Sequence, residues 1–191
     1  MEEKVILVNT LDTQIGVMEK EQAHRTGKLH RAFSVFIFNN KGELLLQKRS
    51  VNKYHSGGLW SNTCCSHPLP GEETLKAAHR RLEEEMGLKS DLQYTFKFLY
   101  HAVIDEQMTE HEIDHVFIGH SDNTPRVNYA EAEDWKYVDT DIIFKDIQLN
   151  PTHYTVWFQK CVRQVISQRN FKTKFSSVNG TKELMDQTIL L

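Results

Sequence analysis

At 191 residues, with 39% hydrophobic and 26% charged residues, the sequence has the mix of an ordinary globular domain, which excludes wholesale disorder. A net charge of −3 disfavours a strongly basic nucleic-acid binder, and no apolar run approaches the roughly 20 residues of a membrane helix. The start, Met1-Glu2-Glu3-Lys4, has no secretory apolar segment or cleavage site, and the three cysteines, Cys64, Cys65 and Cys161, make a poor disulfide framework. A reduced, cytoplasmic, monomeric protein is expected, without membrane insertion or a nucleic-acid partner.

In chain order, Val5 to Asn9 reads as a short buried strand and Val17 to Glu19 as its return partner, across a turn from Leu11 to Gly16. Residues His24 to His30, with Gly27 among them, read as a loop. From Arg31 to Phe38 the apolar residues alternate: Phe33, Val35 and Ile37 fall on one face of a strand, Phe36 and Phe38 on the other. Asn39 to Gly42 predicts a hairpin turn, because Asn and Gly tolerate positive φ, and Leu44 to Arg49 the returning strand. Residues 50–60 read as a loop around Gly57 and Gly58. A helix is predicted from Glu72 to Met86, where Leu75, Ala78, Leu82 and Met86 keep a helical period, Glu72 and Glu73 suit the positive end, and Gly87 terminates it. Tyr94 to Val103, Ile113 to Gly119 and Trp135 to Val138 read as strands. Thr152 to Gln168 reads as a helix, with Trp157, Cys161 and Val165 four apart, followed by a polar tail from Asn170. This order predicts an α+β (mixed α/β) sandwich around one sheet, with 1–191 a single domain and 170–191 an extension.

Several groupings carry possible chemistry. His24, His30 and His67, with Glu110 and Glu112, would make a mixed nitrogen and oxygen site for a divalent metal. Glu110 and Glu112 would point the same way if they lie on a strand. Any one of ten histidines is more often solvated or packed in a core. Cys65 and His67 would line one cavity by the same two-residue rule, while Cys64 fits a small buried hydrophobe. On the predicted helix, Arg81 and Glu85 are neighbours at i and i+4; they form either a solvated ion-pair face or, with Glu85, a magnesium site for a diphosphate. Lys20, Arg49 and Lys53 are cations near loops that can neutralise such a group.

Taken together, these segments resemble a known family. Asn62 to Pro68, then Gly71-Glu72, then Arg80-Arg81-Leu82-Glu83-Glu84-Glu85-Met86-Gly87-Leu88 are similar to the type 1 isopentenyl-diphosphate Δ-isomerases of the Nudix superfamily. Glu19-Lys20, His24, Leu29 to Ser34, Gly58 to Asn62, Tyr100-His101-Ala102 and Glu110-His111-Glu112 follow in matching order, so the resemblance spans roughly residues 4–168. It implies a Nudix-type mixed sheet between helices, with extra N-terminal strands and a C-terminal helix. It also implies that isopentenyl diphosphate and dimethylallyl diphosphate are interconverted. By resemblance, His24, His30, His67, Glu110 and Glu112 form a site for one divalent metal (Mn²⁺, Mg²⁺ or Zn²⁺), and Cys65 and Glu112 are the acid–base pair with Tyr100 beside them. Glu85 helps hold Mg²⁺ on the substrate diphosphate, Lys20, Arg49, Lys53 and Arg81 bind that diphosphate, and Trp157 faces the reacting carbons.

The sequence departs from the general Nudix pattern in two places that bear on the reaction. Ser66 stands where the box begins with Gly, and Arg81 stands where a hydrolase carries the glutamate used in diphosphate cleavage. The second departure argues for isomerisation over a Nudix hydrolase of a nucleotide or other diphosphate, which is the alternative. The loop Ser56-Gly57-Gly58 also lacks a proline often found there.

Overall fold

The computed structural model describes residues 3–179. In chain order the strands are β1 (Lys4–Val8), β2 (Gln14–Glu19), β3 (His30–Phe38), β4 (Leu44–Arg49), β5 (Trp60–Ser61), β6 (Cys64–Ser66), β7 (Gln93–Val103), β8 (Thr109–His120) and β9 (Ala132–Val138). The helices are α1 (Lys20–Arg25), α2 (Thr74–Met86), α3 (Thr140–Leu149) and α4 (Val156–Asn179).

β3 is the hub of one mixed sheet. It runs parallel to β8 from His30 opposite Glu112 to Phe38 opposite His120. It runs antiparallel to β6, with Ser34 opposite Cys65. The β1–β2 hairpin joins at its start, where Leu7 meets His30. The predicted turn at Asn39 to Gly42 is present, and Gly42 has φ +83°. The strands it joins splay apart after the single pair Phe38–Leu44, and β4 goes on to pair with β5 and β9. That splay opens the place that β6 fills.

The alternation read in β3 decides the layering. Phe33, Val35 and Ile37 pack with Leu45, Leu82 and Met86 under α2. Phe36 and Phe38 pack on the opposite face with Val116, Phe158, Val162 and Val165 under α4. Each fully buried Phe, Leu or Ile contributes about 1.5–3 kcal/mol. Along the α4 face the character changes with position: Phe36, Phe38 and Val116 are core, whereas the N-terminal half of β3 and the start of β8 carry His30, Ser34, Glu110, Glu112 and Asp114. The site therefore begins where the apolar core stops.

The helix bounds explain local corrections. Residues read as a loop between His24 and His30 divide: His24 lies in the last turn of α1, and His30 opens β3. α2 starts at Thr74, with Glu73 at its cap. Glu72 is drawn away from the helix end to accept both Nε and Nη2 of Arg80 at 2.8 Å. Gly87 does end α2, at φ +62°, and a Cβ there would lie 2.7 Å from the Arg126 carbonyl oxygen. β8 starts at Thr109 rather than Ile113, so Glu110 and Glu112 do share a strand face. The last helix begins later than Thr152: Pro151–His153 forms a separate 3₁₀ turn, and α4 runs from Val156 to Asn179. Of the extension expected over 170–191, residues 180–191 lie outside the described residues. Helix α3 was not expected; Asp139 caps it by accepting the Asp141 and Ile142 amides.

Candidate active site

The histidines and carboxylates converge at the polar end of the sheet face. His24 and His30 donate Nδ1–H to the carbonyls of Lys20 (2.7 Å) and Lys28 (2.8 Å). Carbonyls only accept, so these contacts fix the tautomer and leave the Nε2 lone pairs pointing inward. Both Nε2 atoms, with His67 Nδ1 and Glu110 Oε2, are buried without a hydrogen-bond partner. His24, His30, His67 and Glu112 each offer a ligand atom within 4.8 Å of the others. Orphaned buried imidazole nitrogens, in a group whose ligand atoms lie this close together, are what a divalent cation satisfies. The residues present therefore fit a metal.

The protonation states agree with that reading. Burial lowers His24 and pushes His67 down to about 3, so both imidazoles are neutral near pH 7. Burial pushes Glu110 up, and the Glu112 charge beside it adds to this. Burial acts upward on Glu112 as well, but its contacts with the His30 and His67 imidazoles outweigh it and hold Glu112 well below the usual carboxylate range. His67 Nε2 lies 2.9 Å from Glu112 Oε1, and the Tyr100 hydroxyl donates to Glu112 Oε2 at 2.6 Å. Tyr100 reaches it because β7 sets it directly opposite Glu112.

Cys65 and Glu112 line the same cavity. Burial drives the Cys65 thiol up to about 12, against the lowering effect of Arg49. The Arg49 Nη1 group is 3.7 Å from Cys65 Sγ. Its guanidinium carbon sits 5.1 Å from the centre of the Trp157 ring. Trp157, on the first turn of α4, is anchored by Nε1–H donating to Ser61 Oγ at 3.0 Å. Cys64 is fully buried on the α2 face, as expected of a small hydrophobe.

Lys20, Arg49, Lys53 and Arg81 all line this cavity, so four cations dispersed in sequence meet at one mouth. Lys20 pairs with Glu3 at 3.0 Å and Lys53 with Glu131. Glu85 does not line the cavity. It is buried behind Arg81, whose Nη2 donates to Glu85 Oε1 at 2.8 Å, while Gln47 donates to Oε2 at 3.1 Å. Arg81 also meets Glu84 at 2.9 Å and Glu131 at 3.1 Å.

Among the lining residues that the sequence reading did not place in the site are three ionisable ones: Tyr54, His55 and Asp114. Asp114 carries the Glu110–Glu112 alternation one step further, is held by Ser34 Oγ–H at 2.8 Å, and is raised by burial. That extension of the i, i+2 rule was the available signal. His55 had none in its spacing.

A mixed sheet between helices, with the α2 carboxylates and arginines beside the cavity, defines a Nudix fold. The NUDIX domain family matches residues 28–159. Solved structures agree on the fold: a Deinococcus radiodurans protein has a TM-score of 0.70 at 20% identity, covering 84% of this chain and 98% of its own. A MutT protein from Methanosarcina mazei has 0.61 at 19%, covering 74% and 95%. Much more similar in sequence is isopentenyl-diphosphate Delta-isomerase 1 of Aromatoleum aromaticum, 53% identical over 88% of this chain and 96% of that protein. The isopentenyl-diphosphate Delta-isomerase of Pectobacterium atrosepticum is 51% identical over 82% and 87%. The chain belongs to the Nudix family and, within it, to the isopentenyl-diphosphate Delta-isomerases.

Proposed function

We infer that this chain interconverts isopentenyl diphosphate and dimethylallyl diphosphate. The observation that carries the reading is one cavity holding a thiol that keeps its proton, Cys65, and a carboxylate that keeps none, Glu112. The reaction adds a proton to one carbon and removes a different proton from a nearby one, so it needs two stations that share one proton. An unactivated alkene is a very weak base, and its protonation gives a tertiary carbocation. The face of Trp157 stabilises such a cation by about 0.5–2 kcal/mol. Tyr100, bonded to Glu112, orients that carboxylate and can pass a proton to or from it.

His24, His30, His67, Glu110 and Glu112 are the residues that would hold one Mn²⁺, Mg²⁺ or Zn²⁺ ion. That ion supplies fixed charge that orients Glu112 and tunes its acidity. Lys20, Arg49, Lys53 and Arg81 neutralise the diphosphate. Glu85 acts there with Mg²⁺ carried by the diphosphate, once Arg81 turns toward the phosphates. We propose that the chain works as one catalytic domain and as a cytoplasmic monomer, and its cysteines Cys64, Cys65 and Cys161 are free, as a reduced compartment leaves them.

The hydrolase alternative is disfavoured because Arg81 stands where a Nudix hydrolase carries the glutamate used in diphosphate cleavage, and the relatives at about 50% identity are isomerases. Proton NMR with isopentenyl diphosphate and Mg²⁺ in D₂O tests the assignment. Deuterated dimethylallyl diphosphate supports it, and phosphate release from nucleotides without isomerisation overturns it.

A further inference from the structure

His55 is buried at 8% exposure on a loop, and no step above uses it. Its Nε2 lies 3.3 Å from Glu110 Oε1. The other carboxylate oxygen, Oε2, has no hydrogen-bond partner and lies 3.3 Å from His24 Nε2. Glu112 is gripped by His67 and Tyr100, so the two metal-site carboxylates have separate holders. His55 is itself fixed. Its ring meets Tyr54 edge-on at 4.4 Å and Trp157 at 6.1 Å. Its carbonyl accepts from Arg49 Nη2 at 3.2 Å.

The loop's backbone is built to deliver this ring. Ser56 sits at φ +50°, and a Cβ on Gly57 would lie 2.8 Å from the Val51 carbonyl oxygen. Only glycine allows that close return of the chain. The Ser56-Gly57 backbone therefore shapes the turn beside His55.

We propose that His55 is a positioning residue of the metal centre: it restrains one oxygen of Glu110 so that the other turns toward His24 and the bound cation. The proposal rests on the reading that this cluster holds a metal.

The test uses the full chain, stripped of metal and titrated with Mn²⁺ while free ion is followed by electron paramagnetic resonance. Removing a partner that orients a metal-binding carboxylate costs about 10–100-fold in affinity. His55→Ala is expected to show that loss with one Mn²⁺ still bound per chain. His55→Gln, which keeps a donor for Glu110, is expected to regain affinity, and it carries the test if the alanine variant does not fold. Pulsed resonance of the bound ion is expected to count the same number of coordinated imidazoles in wild type and His55→Gln. Equal affinity in His55→Ala and wild type overturns the proposal, and so does the loss of one coordinated imidazole in His55→Gln, which makes His55 a direct ligand. Failure of wild type itself to bind Mn²⁺ overturns the metal reading instead.

Discussion

Stripping divalent metal from this protein lowers its melting temperature by an amount that follows from how the site is buried. His30 is 0% exposed, His24 1% and Glu110 3%, and four polar atoms in the cluster have no partner. Each unsatisfied buried polar group costs about 1–3 kcal/mol, so the metal-free fold carries several kcal/mol that a ligated ion recovers. Because the unfolded chain does not preassemble these donors, binding stabilises the native state alone. At free metal about 1,000 times Kd the gain is about 4 kcal/mol. One kcal/mol shifts Tm by about 2–4 °C in a chain of this size, which gives a rise of about 8–16 °C. Differential scanning calorimetry with chelator, and then with graded Mn²⁺, reads it directly. Substituting His30→Ala and losing about 100-fold in affinity would remove about 2.7 kcal/mol of that gain. A melting temperature unmoved by chelator and by added Mn²⁺ refutes the argument, since it leaves the orphaned atoms with no ion to satisfy them.

Away from the site, Asp12 pins the β1–β2 hairpin. It accepts from Arg31 Nε, Lys97 Nζ and His115 Nε2, each at 2.8 Å. Burial acts upward on its carboxyl, but the Lys97 and Arg31 hydrogen bonds prevail and lower it from 3.8. Lys97 is well exposed and screened, so Arg31 carries most of the effect. Its contribution is present above pH of about 4 and fades as pH falls through the lowered folded value. Asp12→Asn therefore costs about 2 kcal/mol in urea melts at pH 7, and the deficit shrinks toward acid pH. A deficit that persists undiminished on acidification contradicts this. At the reacting carbons, loss of about 2 kcal/mol of cation–π stabilisation in Trp157→Leu slows kcat about 30-fold, while Trp157→Phe retains more of the rate. Binding of an unreactive diphosphate analogue should be unchanged, and a parallel loss of analogue affinity would reassign Trp157 to ground-state binding.

Much of this was legible before the structure. The two faces of β3 could be separated by simple alternation, and each now lies under its own helix. The shared direction of Glu110 and Glu112 followed from strand periodicity once their strand was extended to Thr109. What escaped was fixed by tertiary geometry. α1, at six residues, is too short for a helical period to show. The splay of β3 from β4 depends on β6 taking the edge of β3 that β4 leaves while β8 fills the other, which no local pattern reveals. His55 enters the site only because Gly57 lets the loop fold back on Val51. Glu85 illustrates the converse. Its place in the motif was plain, but its burial behind Arg81 depends on Gln47 from β4.

The most direct measurement follows the proton. Purified protein with Mn²⁺ and Mg²⁺ is incubated with isopentenyl diphosphate in D₂O, beside Cys65→Ala and Glu112→Gln, and the products are read by proton NMR. The account predicts dimethylallyl diphosphate carrying deuterium from wild type, and loss of that product in both variants, each of which still folds. Undiminished isomerisation by Cys65→Ala, or no deuterium in the product, contradicts it.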